Sequence, residues 1–320
     1  MKIEERIKKI IKKSDNIFVS GHKNLDLDAI GACIGINTIA SKFGKNCYII
    51  IDDENHELSI GKIIDEIKTD FNIIKSSEIP SFHKKNSVLV IVDTNKANMI
   101  QNDKILHHFN NIIVIDHHQE TDQTINGINM IDIDKSSACE MVTSLIRKYK
   151  ATLTEYDATI ILSGIVLDTH NFSKKTTDNT FYEAYYLTAL GANPKKVQYY
   201  LKENLNDYII RNKVIINVEV INNKYAVSMA NNKDSYKRED LAKIADTLLN
   251  FNDIEASFVL GNRIDGGVGI SARSEGGVNV GSILEELGGG GDVCTAACQV
   301  KDMNLKETQD ALIRVLNDEE

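Results

Sequence analysis

The residues best suited to chemistry lie near the start of the chain, in Ser20-Gly21-His22-Lys23-Asn24-Leu25-Asp26-Leu27-Asp28-Ala29-Ile30-Gly31. One imidazole, His22, and two carboxylates, Asp26 and Asp28, fall within seven residues. Imidazole and carboxylate crowded into one loop make a donor set for a divalent metal. The same spacing suits a turn whose Asp28 caps the next helix, and the loop alone leaves both readings open. Phe18 and Val19 read as the end of a strand. Cys33, Ile34, Ile36, Ile39 and Phe43 recur at helical spacing up to the stop signal Gly44. The three side chains therefore belong at the carboxyl edge of a strand, where open α/β sheets bind ligands.

Three further apolar segments end in the same chemistry. Ser87–Val92 runs into Asp93-Thr94, and Asn111–Ile115 runs into Asp116-His117-His118. A helical stretch, opened by Thr154 with Asp157 three residues on, closes with Ile160–Leu167 and Asp168-Thr169. Together they supply His22, Asp26, Asp28, Asp93, His117 and Asp168 as a candidate metal-ligand set. Four carboxylates without counterions would repel one another, and two divalent cations would neutralise them. A pair of metals bridged by a carboxylate activates water for in-line displacement at phosphorus. Mixed imidazole and carboxylate donors favour Mn²⁺, with Mg²⁺ or Co²⁺ as substitutes. Adjacent residues on an extended segment point oppositely, so His117 is assigned to metal and His118 to substrate phosphate or to orienting a ligand. The pair His107-His108 is read as a surface helix.

The second half holds a complementary pattern. Ser271-Ala272-Arg273-Ser274 ends a strand, and Gly288-Gly289-Gly290-Gly291 precedes a helical-looking Val293–Ala297. Glycines let backbone N–H groups approach a phosphate at a helix start, and Arg273 adds a charge-assisted contact. A linker has the same glycine-rich look. The dinucleotide fingerprint GxGxxG is absent after the first strand, which argues against a nicotinamide enzyme.

The elements that must position these groups follow from the apolar runs. Ile17–Val19, Tyr48–Ile51, Val88–Val92 and Ile112–Ile115 are continuously apolar, as in a parallel sheet covered on both faces. The fold class is α/β: a doubly wound, mainly parallel sheet over residues 1–190, a helical linker over 191–213, and a smaller α+β domain over 214–320. The active site is expected in the cleft between the domains. The second domain is read as two hairpins, Val214–Ile221 with Lys224–Met229 around Asn222-Asn223, and Ala256–Asn262 with Val268–Ala272 around Asp265-Gly266-Gly267. Met1–Lys13 reads as a docked amphipathic helix or the tail of a linker. Asp52, Asp53, Glu54 and Glu57 read as a solvated turn.

With 320 residues and a net charge of -9, the chain lacks the basic surface that general nucleic-acid binding needs. A small anionic ligand met by metals or local cations is favoured over a long nucleic acid. Five cysteines without paired spacing point to reduced thiols and a cytoplasmic location. Cys294 and Cys298, four apart, read as a buried pair on a helical face and not as a zinc site. The apolar runs are too short to span a membrane, and no signal peptide opens the chain.

The order His-x-x-x-Asp-x-Asp, Asp-Thr, Asp-His-His, helix–Asp and Gly-Gly-Gly-Gly resembles the DHH phosphoesterase family with its DHH-associated C-terminal domain, over nearly the whole chain. Gly21–Asp28, Val92-Asp93-Thr94 and Gly269–Ser274 look most like the GdpP type, the cyclic-di-AMP phosphodiesterases. The resemblance implies two Mn²⁺ held by His22, Asp26, Asp28, Asp93, His117 and Asp168. It implies substrate contacts from His118, Ser271, Arg273, Gly289, Gly290 and Gly291, and opening of cyclic di-AMP to linear pApA. It leaves open a pApA or short-oligoribonucleotide hydrolase of the same family and a non-catalytic cyclic-dinucleotide sensor, as well as a homodimer. Family II pyrophosphatases share the early motifs, but the glycine-rich second domain speaks against them. Two departures stand out. Asp292 follows the glycine run where the family usually has His, and this sequence does not include the upstream transmembrane, PAS-like and degenerate GGDEF regions of GdpP proteins, as expected of an excised catalytic portion or of a free-standing relative. A membrane tether is expected only if such a region was removed.

Overall fold

A computed structural model describes residues 1–52 and 58–318. The chain divides into two compact units, Met1–Lys202 and Glu203–Glu320. Among the described residues no helix is long and apolar enough to cross a membrane.

In the first unit, α1 (Ile3–Lys13) leads into β1 (Asn16–Ser20), α2 (Leu27–Lys42), β2 (Asn46–Ile50), α3 (Leu58–Ile67) and β3 (Asn72–Ile74). Then come α4 (Ile79–Phe82), β4 (Val88–Val92), β5 (Asn111–Asp116), β6 (Ile128–Ile131), α5 (Ala138–Tyr149), α6 (Glu155–Asp168), α7 (Asp178–Ala189) and α8 (Pro194–Tyr200). The strands form one parallel sheet in the order β3-β2-β1-β4-β5-β6. Successive strands step one way from β1 to β2 and β3, and the other way from β4 to β6. The switch point lies between β1 and β4, and the crevice at their carboxyl ends is where such sheets bind ligands.

Every residue of β1 and β4 is buried, which explains their unbroken apolar runs. Strands β3 and β6 are not among the four expected ones. The first is three residues long and the second is half-buried along its length, so neither leaves a strong pattern. α1 docks as expected, burying Ile7 and Ile11.

Helix α2 is buried on nearly all sides, packed between the sheet and helices α5 and α6. Small residues make this possible. A Cβ on Gly164 of α6 would lie 2.6 Å from Cys139 Sγ and 2.8 Å from Asp28 Cα. The expected Thr154 cap is present, with its hydroxyl oxygen accepting the Asp157 N–H at 3.0 Å. His107 and His108 lie exposed on a short 3₁₀ turn. In the acidic turn, Asp52 accepts the Ser76 N–H at 2.8 Å, while Asp53, Glu54 and Glu57 lie outside the described residues.

The second unit contains α9 (Leu205–Ile215), β7 (Val218–Ile221), β8 (Tyr225–Met229), β9 (Ser235–Tyr236), α10 (Arg238–Leu248), β10 (Ala256–Arg263) and β11 (Val268–Ser274). It ends with α11 (Val280–Glu285), β12 (Gly290–Gly291), β13 (Thr295–Val300) and α12 (Leu305–Asp318). A mixed sheet runs β12-β13-β11-β10-β8-β7, with β9 beside β10.

Both expected hairpins form. In the first, Asn222 and Asn223 take φ of 52° and 57°, the left-handed pair that a tight two-residue turn requires. Its first strand begins only at Val218, because Val214 belongs to α9, whose start Asn204 caps at 2.8 Å. The stretch 191–213 is divided: α8 packs on α6 in the first unit, and α9 on α10 in the second.

The helix expected at Val293–Ala297 is not there. Thr295–Val300 is a strand paired with β11, burying Ala296 and Cys298 while Thr295 and Gln299 face out. Ala296 and Ala297 favour a helix locally, but pairing with β11 on one side and β12 on the other overrides that preference. Cys294 is therefore exposed and only Cys298 buried, so the two form no buried pair on a helix.

Candidate metal centre

The turn after β1 brings His22 to the switch point. Lys23 N–H donates to Met99 O at 2.7 Å and His22 bridges to Ile100, which ties this loop to the segment after β4. Asp26 caps α2: its Oδ1 accepts the N–H groups of Asp28 and Ala29 at 3.0 and 2.9 Å. The cap considered for Asp28 thus belongs to Asp26. Asp28 instead reaches α5, where its Oδ2 accepts the Ala138 N–H at 2.7 Å and its Oδ1 the Cys139 N–H at 2.8 Å.

Asp93 follows β4 with φ of 58°, a left-handed conformation that Asp tolerates better than most residues. Its N–H still donates to Ile115 O at 3.0 Å, so the chain turns while staying paired to β5. Asp168 is the last residue of α6. The adjoining Thr169 is buried, and its hydroxyl donates to Ile165 O and accepts the Phe172 N–H.

These elements assemble the six expected residues into two groups of possible ligand atoms: His22, Asp26 and Asp93, and Asp28, His117 and Asp168. Asp93 joins them. Its Oδ2 lies 3.2 Å from His22 Nε2, and its Oδ1 lies 3.3 Å from His117 Nε2. His22 Nε2 is also 3.5 Å from Asp26, and His117 Nε2 is 3.2 Å from Asp168. His22 Nδ1 faces Lys23 O at 2.5 Å, so that nitrogen carries the proton and Nε2 is left for a ligand role.

Electrostatics show what the cluster attracts. Burial lowers the pKa of His22, but Asp26 and Asp93 overcome it and push it up to about 11. His117 is likewise opposed by burial and raised to about 11 by Asp168, Asp93 and Asp28. Asp28 is pushed up by burial and by Asp93 and Asp168, and Asp168 by burial and by Asp93 and Asp26. Burial would raise Asp93 too, but the two imidazoles hold it well below the usual carboxylate range. Positive charge is drawn into this site, and protons on imidazole are a poor substitute for cations. Both ring nitrogens of His117 and the Oδ1 of Asp93 are buried without an aligned hydrogen bond among the described residues. Unpaired nitrogen and oxygen donors converging on one another fit divalent metal ions.

Asp116 was not singled out from the sequence, although it opens the Asp-His-His run. It is fully buried, and its Oδ1 accepts from the N–H of His117 at 2.8 Å, the N–H of His118 at 3.3 Å and the ring Nδ1 of His118 at 2.8 Å. The two histidine rings do not point oppositely as extended neighbours would. They lie beyond the end of β5 with centroids 4.3 Å apart. His117 is buried and His118 exposed, beside a 390 Å³ cavity that His22, Asp26, Asp93 and Asp168 also line. Asn95 was missed as well: it is buried, and its Nδ2 donates to His118 O at 3.0 Å, bracing the ends of β4 and β5 against each other.

The substrate residues expected from the second half all lie in the second unit. Arg273 Nη1 donates to Ala272 O at 2.9 Å, and its Nε lies 3.5 Å from Asp246. A Cβ on Gly289 would meet Ala297 O at 2.7 Å, and one on Gly291 would clash with Thr295 and Ala296, whereas Gly290 faces open space. Close approach to β13 therefore requires two of these glycines. No helix start follows them. The Asp292 carboxylate turns into its own loop, accepting the N–H groups of Cys294 and Thr295 at 2.8 and 2.7 Å and the Thr295 hydroxyl at 2.9 Å. Burial pushes its pKa up, but these bonds and the nearby Arg273 bring it below the ordinary value.

A doubly wound sheet with two carboxylate–imidazole triads at its switch point defines a candidate metal-dependent phosphoester site. Residues 16–165 match the model of the DHH family N-terminal domain, and residues 191–318 that of the DHHA1 domain. The chain belongs to the DHH family. It is 34% identical over 324 residues to the cyclic-di-AMP phosphodiesterase PdeA of Listeria monocytogenes, covering 98% of this chain and 49% of that protein. It is also 34% identical over 326 residues to the cyclic-di-AMP phosphodiesterase GdpP of Bacillus subtilis, covering 99% of this chain and 50% of that one. The chain thus spans about half the length of these relatives. Among solved structures, an exopolyphosphatase-related protein from Bacteroides fragilis superposes with a TM-score of 0.80 at 18% identity, covering 99% of this chain and 96% of that one.

Proposed function

We propose that this chain is a Mn²⁺-dependent phosphodiesterase that hydrolyses cyclic di-AMP to linear pApA. The observation that carries the reading is the pair of triads meeting at Asp93, with one carboxylate oxygen toward each imidazole. The names of the relatives matched over almost the entire chain supply the substrate.

His22, Asp26 and Asp93 would hold one ion, and Asp28, Asp93, His117 and Asp168 the other. Two such ions, when bound, stabilise charge on phosphate and lower the pKa of water. Asp26 orders the loop by capping α2, and Asp28 locks it to α5. His118, oriented by Asp116, is assigned to a substrate phosphate oxygen. Ser271, Arg273 and the Gly289–Gly291 loop are assigned to nucleotide binding by the second unit. Water attacks one phosphorus, the ribose 3′ oxygen leaves with a proton, and the ring opens to a chain with a 5′-phosphate.

The test is incubation with cyclic di-AMP and Mn²⁺, with products separated by chromatography. pApA should accumulate, and a chelator should stop it. A protein with Mn²⁺ demonstrably bound that leaves cyclic di-AMP intact would refute the reading. Faster turnover of pApA or short RNA, measured as kcat/KM, would reassign the substrate within the family. Tight cyclic di-AMP binding without turnover would mark a sensor.

A further inference from the structure

We infer that Lys96 is a phosphate-binding residue of this site, an inference that rests on the phosphodiester reading above. Lys96 lines the 390 Å³ cavity together with His22, Asp26, Asp93, His118 and Asp168. It is the only lysine or arginine among the described residues lining that cavity. The residue is half-buried, yet its ammonium makes no hydrogen bond or ion pair among the described residues.

Three other lysines of this unit show the contrast. Lys23 Nζ donates to Asn98 O at 2.9 Å, Lys135 lies 3.2 Å from Glu140, and Lys196 lies 3.1 Å from Glu66. Asp26, Asp93 and Asp168 line the same cavity, yet none of them forms an ion pair with Lys96 among the described residues.

The backbone holds Lys96 where it is. Its neighbour Asn95 donates from Nδ2 to His118 O, and the Asn95 carbonyl accepts the Ile125 N–H at 2.7 Å. Lys96 itself forms an antiparallel bridge with Thr124, and its carbonyl accepts the Met99 N–H at 3.0 Å. The side chain therefore starts from a fixed point on the cavity wall, pinned to the same segment that carries His117 and His118. The fixed backbone sets where the ammonium can reach, and a ligand phosphate would order the four-carbon side chain itself.

The charge balance gives Lys96 its partner. Four carboxylates are matched by two divalent ions, so the negative charge of an arriving phosphate still requires a cation. A lysine supplies a point charge with three donors, suited to a phosphate oxygen and indifferent to the base. Lys96 thus selects for a phosphorylated ligand, and the loop that delivers Asp93 delivers this cation three residues later.

The experiment compares wild type, Lys96→Gln and Lys96→Arg in Mn²⁺ buffer by calorimetry, with AMP, adenosine and Mn²⁺ alone as probes. Lys96→Gln should weaken AMP binding roughly tenfold or more while leaving adenosine and Mn²⁺ binding unchanged, as loss of a charge-assisted bond requires. Lys96→Arg should restore most of the AMP affinity. Equal AMP affinity in Lys96→Gln and wild type would overturn the inference. So would a parallel loss of Mn²⁺ binding, which marks a structural role, or a wild type that binds no AMP. A wild type that binds AMP through Lys96 but leaves cyclic di-AMP intact would overturn the substrate assignment alone.

Discussion

The carboxylate of Asp28 accepts the backbone N–H of Cys139 at 2.8 Å, and the Cys139 thiol donates back to the Asp28 carbonyl at 3.3 Å. With Ala138 N–H on the other carboxylate oxygen, Asp28 closes the N-terminus of α5 from a helix more than a hundred residues earlier. The positive end of a helix favours a carboxylate there. Each oxygen keeps a second lone pair, so the bonds to α5 leave Asp28 able to ligate a metal. Helix docking and a candidate metal-ligand position thereby fall on one side chain.

Substituting Asp28 should accordingly cost both. In Asp28→Ala two buried N–H groups lose their acceptors, a loss of about 2–4 kcal/mol by the usual cost of an orphaned buried donor. Relief of repulsion from Asp93 and Asp168 acts in the opposite direction. The lost bonds should dominate, because the imidazolium groups already offset part of that repulsion. Urea denaturation of the metal-free protein should show a lower midpoint for Asp28→Ala, and Mn²⁺ titration a weaker affinity. A metal-free variant as stable as wild type would show that α5 does not depend on this contact.

Metal itself should stabilise the fold. A ligand that binds only the native state adds about 2.7 kcal/mol at a hundred times its Kd. For a domain of this size that corresponds to a Tm rise of roughly 5–10 °C. Differential scanning fluorimetry with and without Mn²⁺ should show it, and EDTA should reverse it. In Asp93→Asn the shift should disappear, because the Asp93 carboxylate reaches the imidazole of both triads, His22 at 3.2 Å and His117 at 3.3 Å. A wild-type shift retained in full by Asp93→Asn would place the ion elsewhere.

Two glycines of this unit should respond oppositely to alanine. Gly164→Ala pushes a methyl against Cys139 Sγ at 2.6 Å and against the Asp28 backbone at 2.8 Å, and a backbone cannot yield as a side chain tip does. Overpacking of this kind costs about 1–3 kcal/mol or more. It should also weaken Mn²⁺ binding by displacing Asp28. A methyl on Gly61 of α3 would meet nothing within 4 Å, so Gly61→Ala should stabilise by roughly 0.5–1 kcal/mol through helix propensity. Chemical denaturation of both variants checks the contrast, and a stable Gly164→Ala would contradict the packing argument.

How much of this is legible in the chain depends on range. Apolar runs ending in Asp93 and Asp116, and the spacing His22, Asp26, Asp28, are local patterns, and they locate β1, β4, β5 and side chains that the fold brings together as a candidate ligand set. The true partners of Asp28 are Ala138 and Cys139, which no local spacing reveals. Asn95 and Glu140 act through bonds to distant segments and belong to no motif the chain advertises. Val293–Ala297 reads as helical because Ala296 and Ala297 are strong helix formers, and the pairing with β11 that makes Thr295–Val300 a strand is not visible locally. From sequence alone the glycine run reads as a phosphate loop or a linker. Its Gly289 and Gly291 are needed for packing against β13, a reason invisible without the neighbouring strand.

Glu140 offers the clearest pH test. It is fully buried at the start of α5, where Oε2 accepts from the Ser136 hydroxyl at 2.6 Å and the Thr180 hydroxyl at 2.8 Å. Its Oε1 accepts from Asn179 Nδ2 at 2.6 Å and lies 3.2 Å from Lys135 Nζ. It therefore ties the loop before α5 to the start of α7 and holds in place the N–H groups that Asp28 uses. Burial would raise its pKa, but the bonds from Ser136, Asn179 and Thr180 bring it below the ordinary value of 4.5. A group depressed in the folded state stabilises fully above its unfolded pKa, and that contribution is lost as pH falls through the folded pKa. Glu140→Gln should thus be less stable than wild type at pH 7 by about 1–3 kcal/mol. The gap should narrow as pH drops below about 4.5, once the wild-type carboxyl is itself protonated. Urea midpoints for the two proteins from pH 7 down to pH 3 measure the gap directly; a constant difference across that range would mean the charge on Glu140 contributes nothing.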